Sequence, residues 1–169
     1  MVRRVAVLGI LVATCVLVQA TVFSSLRFGG IQPSLVLLAV VALALTDGPI
    51  TGAVFGFAGG LASDLLGSTP VGLSAIVLSG LGYGLGSLKP YLVTPSPLVP
   101  MALTFAASLA GLLGFGFLAA MLNVPVPPAG FMLRAGLLGS AYNMLLTPFV
   151  FPLVRELSSR LRPQRIEGW

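Results

Sequence analysis

The sequence predicts an all-α integral membrane protein, a bundle of about six transmembrane helices, on three observations. Six apolar, uncharged runs follow one another with only short breaks of Pro, Gly or charge between them. Each is roughly 17–25 residues long, the length a helix needs to cross the ~30 Å hydrocarbon core of a bilayer. Hydrophobic residues make up 57% of the 169 and charged residues 8%, with a mean hydropathy of +1.07. Nine basic and four acidic side chains cannot clothe the surface of a soluble domain of this size, so lipid must be the solvent.

The first run, residues 5–26, lies between Arg3-Arg4 and Arg27-Phe28-Gly29-Gly30. The second, 31–46, stops at Asp47-Gly48-Pro49. There Asp47 is placed to cap the following helix, and Pro49 sits in its first turn, where no backbone donor is lost. The third, 50–66, ends at Gly67-Ser68-Thr69-Pro70, and the fourth, 71–88, at Lys89-Pro90. A Pro-rich connector, 91–97, precedes the fifth run, 98–122. The segment Asn123-Val124-Pro125-Val126-Pro127-Pro128 cannot continue a helix. The sixth run is 129–154. No linker is long enough to separate two domains, so residues 1–154 form one transmembrane domain and 155–169 a basic cytoplasmic tail.

Basic residues set the orientation. With six crossings and the N-terminus in the cytoplasm, Arg3, Arg4, Lys89, Arg155, Arg160, Arg162 and Arg165 collect inside, and only Arg27 and Arg134 outside. Both termini are therefore expected in the cytoplasm. Arg3-Arg4, an apolar run and Val18-Gln19-Ala20 resemble a cleavable signal peptide. The run is longer than a signal core, however, and its removal would put a charged end on the wrong side. Thr14 is a poor residue before a lipidated cysteine, so Cys15 reads as a small core residue.

Residue types exclude much chemistry. Histidine is absent, Cys15 is the only cysteine, and the four acidic residues are scattered. No transition-metal site and no Ser-His-Asp or Cys-His site can be built from them. Lys89, the sole lysine, is followed by Pro90, so no phosphate-cradling loop exists. The expectation is no enzyme and no cofactor, and the charge of +5 points to a membrane surface rather than nucleic acid.

Four features could carry function. Gly52, Gly56, Gly60 and Asp64 recur every four residues along one face of the third helix, with Gly59 beside it. Small residues let a second backbone approach closely in lipid, so this is a packing face for the chain's own bundle or a groove for a partner's helix. Asp64, acidic and inside a clear span, requires a partner. Arg134 lies at similar depth and is a candidate ion pair; capping the Gly67-Ser68 turn or reaching interfacial water is the alternative. Asn143, in a run of Ala135, Gly139 and Thr147, is expected to hydrogen-bond across helices. The tail, with Leu153, Leu157 and Leu161 at intervals of four, reads as an amphipathic continuation of the sixth helix. Its Arg155, Arg160, Arg162 and Arg165 would contact anionic lipid.

Gln32-Pro33-Ser34-Leu35, the helix from Asp47-Gly48-Pro49 through Gly56-Phe57-Ala58-Gly59-Gly60-Leu61 to Asp64, and Thr69-Pro70-Val71-Gly72 resemble the rod shape-determining MreD family. Tyr142-Asn143 followed by Pro148 and Pro152 is similar too. Ser34 stands where that family often has Asp, so no role of that carboxylate carries over. The resemblance implies a non-catalytic bacterial inner-membrane scaffold of the cell-elongation machinery. It would act with a single-span MreC-like partner and, through it, with MreB and the RodA–penicillin-binding-protein synthase. It also implies a fold similar to the substrate-binding membrane subunits of energy-coupling-factor transporters. A vitamin-type transporter subunit is therefore the alternative function, and homo-oligomerisation stays open.

Overall fold

The fold was analysed in a computed structural model, which describes residues 2–25, 33–67, 70–92, 98–125 and 128–160. The described residues form six α-helices and one short 3-10 turn, with no strand. The helices are α1 (Val2–Ser25), α2 (Leu35–Asp47), α3 (Pro49–Leu66), α4 (Leu73–Leu88), α5 (Leu98–Met121) and α6 (Ala129–Arg160). Lys89–Tyr91 forms the 3-10 turn. Three of them, α3, α5 and α6, are long and apolar enough to cross a membrane. The described residues are thus all-helical, with a make-up consistent with a membrane protein.

Helix α2 is the axis of the bundle. Leu35 to Leu45 carries no polar side chain, and a helix apolar all round belongs in the interior. Val36 through Ala44 are all buried, and α1, α3, α4, α5 and α6 each pack against α2. Consecutive helices run antiparallel. In α3–α4, Gly52 meets Gly82 and Gly60 meets Ala75; in α5–α6, Gly116 meets Met132 while Ser108 meets Asn143. Helix α1 contributes a stripe, Leu8, Val12 and Val16, spaced by one helical turn, while Ile10 and Leu17 face outward.

Burial is inverted relative to a soluble domain. Asp64, Thr104, Ser108, Ser140, Asn143, Thr147 and Ser158 are buried, whereas Leu113, Phe117, Leu145, Phe149 and Leu153 are exposed. An apolar exterior suits lipid as solvent, and the buried polar side chains bond another segment, as Asp64, Ser108, Asn143 and Ser158 do, or a carbonyl one turn back in their own helix, as Thr104 and Thr147 do.

The joints explain the boundaries. A single residue, Gly48, separates α2 from α3, and its φ of 104° suits glycine. Pro49 opens α3 as the sequence suggests, but the α3 N-cap is Gly48, which offers no side chain. Asp47 is not that cap; it ends α2 and its carboxylate reaches α6 instead. Asn123, at φ 52°, closes α5: the Asn123 N–H donates to Ala120 O at 3.2 Å and the Val124 N–H to Ala119 O at 2.9 Å. That is the double bond of a left-handed helix stop. No break separates 154 from 155, because α6 runs on to Arg160 with Val154 and Ser158 buried. The proposed domain boundary therefore falls inside a continuous helix.

Candidate functional site

The glycine face of α3 is occupied by α4. A Cβ on Gly52 would lie 2.5 Å from the Gly82 carbonyl oxygen and one on Gly60 2.5 Å from Ala75 Cα. A Cβ on Gly56 would fall on the Leu78 carbonyl. The contact is reciprocal, since Gly82 is closed by the Gly52 carbonyl and Gly86 by Pro49. Backbone lies on backbone over about three turns, where no side chain fits. The stripe is thus an internal seam, and a partner's helix has no room on it. Gly59, beside the stripe, faces α2 and α1: a Cβ there would lie 2.8 Å from Val36 Cγ1 and 2.9 Å from Val12 Cγ1. The glycines of α3 thus bring it close to α4, α2 and α1, while Ile50, Val54 and Phe57 point outward and Phe55 joins the core.

Asp64 terminates this seam. Its Oδ2 accepts from the Gly72 N–H at 2.9 Å and the Ser74 N–H at 3.0 Å. Gly72 is the N-cap of α4, left-handed at φ 101°, and has no side chain to satisfy the first turn. Asp64 supplies that cap from the neighbouring helix, where a carboxylate also meets the positive end of the helix dipole. Its partners are therefore α4 amides rather than Arg134, which is exposed on α6 while Asp64 is buried. Where an Asp64–Arg134 ion pair was expected, the described bonds of the Asp64 carboxylate go to backbone amides eight and ten residues further on. The alternative cap of the Gly67-Ser68 turn falls partly on Ser68, outside the described residues.

Asn143 holds three segments together. Its Oδ1 accepts from the Ser34 N–H at 2.8 Å, and its Nδ2 donates to Ser108 Oγ at 2.9 Å. Ser34 caps α2 by accepting from the Leu37 N–H at 3.3 Å, and Gln19 Oε1 on α1 accepts from the Val36 N–H at 3.1 Å. The four elements converge because α2 is short: its 13 residues rise only about 20 Å. Asn143 lies about 21 Å along α6 from Ala129, so α2 begins deep in the bundle. Its first amides have no carbonyl of their own helix to bond, and side chains from α1 and α6 meet two of them.

The other end of α2 is tied as well. Lys89 Nζ donates to the Thr46 carbonyl at 2.6 Å, a cation on a helix C-terminus. Ser158 Oγ lies 2.8 Å and 2.6 Å from the two Asp47 carboxylate oxygens. On the outer side of this segment Arg155 and Arg160 are exposed, and Arg160 pairs with Glu156 at 2.7 Å. Arg162 and Arg165 lie outside the described residues. The segment continues α6 as its leucine spacing suggests, and one side of it, Val154 and Ser158, is packed against the bundle.

Sequence reasoning singled out Asp64 and Asn143 but missed their partners Gly72, Ser74, Ser34 and Ser108, and missed Gln19 and Ser158 altogether. The four-residue interval between Gly82 and Gly86 is the signal in the sequence that could have pointed to the α4 side of the seam; nothing in the sequence marked Ser158. Among the described residues no group of three or more His, Cys, Asp or Glu could hold a metal ion.

The family model described as rod shape-determining protein MreD matches residues 2–157. No curated protein and no solved structure matches the chain.

Proposed function

The chain belongs to the MreD family of rod shape-determining proteins, and we propose that it serves there as a non-catalytic scaffold of the cell-elongation machinery in the bacterial inner membrane. In this reading it crosses the membrane six times with both termini in the cytoplasm. It binds a single-span MreC-like protein, and through it engages MreB and the RodA–penicillin-binding-protein synthase. The exposed Arg155 and Arg160, with Arg162 and Arg165 beyond, contact anionic lipid on the inner face.

The observation that carries the reading is the use to which the internal polar side chains are put. Asp64, Asn143, Ser108 and Ser158 each bond another element of the chain. Such bonds stabilise a shape, whereas a substrate pocket needs polar groups converging on a concavity. A scaffold needs a rigid bundle with an apolar exterior that another helix can pack against.

Co-expression with an MreC-like single-span protein, followed by purification in mild detergent, tests the proposal. The two are expected to co-migrate through size-exclusion chromatography. A chain that migrates without the partner and retains a tightly bound small molecule would instead be a transporter subunit with a fold like those of energy-coupling-factor systems.

A further inference from the structure

The last helix is fastened to α2 at both ends of α2, and its weakest stretch lies between the fastenings. At the deep end Asn143 holds the Ser34 amide; at the other end Ser158 holds the Asp47 carboxylate. Between them α6 contains Pro148 and Pro152. Each proline removes an amide that would bond the carbonyl four residues back, and its ring crowds that carbonyl. Helices bend most readily at such positions. Beyond them, the segment 153–160 has two unlike sides. Val154 and Ser158 are buried against the bundle, while Leu153, Arg155, Glu156 and Arg160 are exposed.

We propose that this segment is a latched arm, hinged at Pro148–Pro152 and held to the α2–α3 joint by the Ser158–Asp47 hydrogen bond. When the latch opens, the arm swings from the joint and uncovers Val154 and Asp47, carrying the basic residues with it. The deep fastening at Asn143 stays made, because it lies on the other side of the hinge. The arm thus moves without unpacking the α3–α4 seam or the start of α2. Ser158 is fully buried, so its hydroxyl has no competing water in the closed state. Losing one such bond shifts an opening equilibrium about five- to thirtyfold.

Maleimide labelling of a buried cysteine in the full chain, purified in detergent on a Cys15→Ser background, reads the opening directly. Val154→Cys is the probe, because it is 1% exposed, and Val12→Cys on α1, 4% exposed, is the control. Ser158→Ala is expected to speed labelling of the probe about five- to thirtyfold while leaving the control unchanged. Asp47→Asn keeps an acceptor for the hydroxyl and is expected to stay nearer the parent rate. Replacing Pro148 and Pro152 by Ala in the Ser158→Ala chain is expected to return the probe towards the parent rate. The proposal is overturned by an unchanged probe in Ser158→Ala, by an equal rise at the control, or by a rise that persists undiminished without the prolines.

Discussion

Asn143 and Ser34 lie 109 residues apart in the chain, yet the Ser34 amide donates to Asn143 Oδ1 at 2.8 Å. The bond exists because α2 starts partway along α6, which brings the Asn143 side chain to an amide that no preceding helical turn can satisfy. It makes the final helix a structural support for the second, and its loss should be felt across the bundle.

Asn143→Ala is expected to lower stability by about 1–3 kcal/mol, because it leaves the Ser34 amide and the Ser108 hydroxyl without their partner in a buried site. Ser108→Ala, which removes one arm of the contact, should cost less, nearer the ~0.6 kcal/mol typical of interhelical bonds in membrane bundles. Thermal unfolding of purified protein in one detergent checks both. Equal stability of Asn143→Ala and parent would refute the hub.

Gly56→Leu should abolish accumulation of folded protein, since its side chain would enter the Leu78 carbonyl and peptide plane of α4. Gly80→Leu and Gly84→Leu are the matched controls: both glycines lie in α4, and a Cβ on either meets nothing within 4 Å. These should accumulate like the parent on immunoblots of membrane fractions. An abundant Gly56→Leu protein would show that the α3–α4 seam is not as close as described.

Asp64→Asn retains an oxygen that can accept from the Gly72 and Ser74 amides, whereas Asp64→Leu leaves both unmet. The Asn variant should therefore keep most of the protein level and cell-shape function, and the Leu variant should lose about 1–3 kcal/mol of stability. If both variants keep normal level and partner binding but lose rod shape, the carboxylate has a chemical role that capping does not explain.

Single cysteines in a Cys15→Ser background test the crossing of α5. Tyr91 and Asn123, both exposed, flank that helix at its two ends. Tyr91→Cys is expected to label only after the membrane is permeabilised and Asn123→Cys from outside an intact cytoplasmic membrane. Labelling of both from one side would refute the six-crossing topology.

Most of the architecture was legible in the residues. Pro33-Ser34, Gly48-Pro49, Pro70, Lys89-Pro90 and the prolines after Asn123 punctuate the apolar runs where the described helices begin and end. These are local signals: a missing amide, a fixed φ or a capping hydroxyl acts within a few residues. The role of Asp47 was misread because capping by proximity in sequence looked sufficient, while α6, remote in sequence, brought Ser158 to the carboxylate. The continuation of the sixth helix past Arg155 was legible in the spacing of Leu153, Leu157 and Leu161, but the packing of one side of it, through Val154 and Ser158, was not.

By itself the sequence determined that this is a helical membrane protein, where its helices lie, and which residues, Gly52, Gly56, Gly60, Asp64 and Asn143, demand close company. Transfer of apolar side chains from water and the chain's own hydrogen-bonding rules are enough for that. Only the tertiary structure decided who the company is: α4 for the glycines, the Gly72 and Ser74 amides for Asp64, Ser34 and Ser108 for Asn143. Small residues permit a close approach without specifying the neighbour, since dispersion contacts are alike for any backbone. A polar group likewise takes whichever donor or acceptor the packed helices carry to within about 3 Å, whatever its distance along the chain.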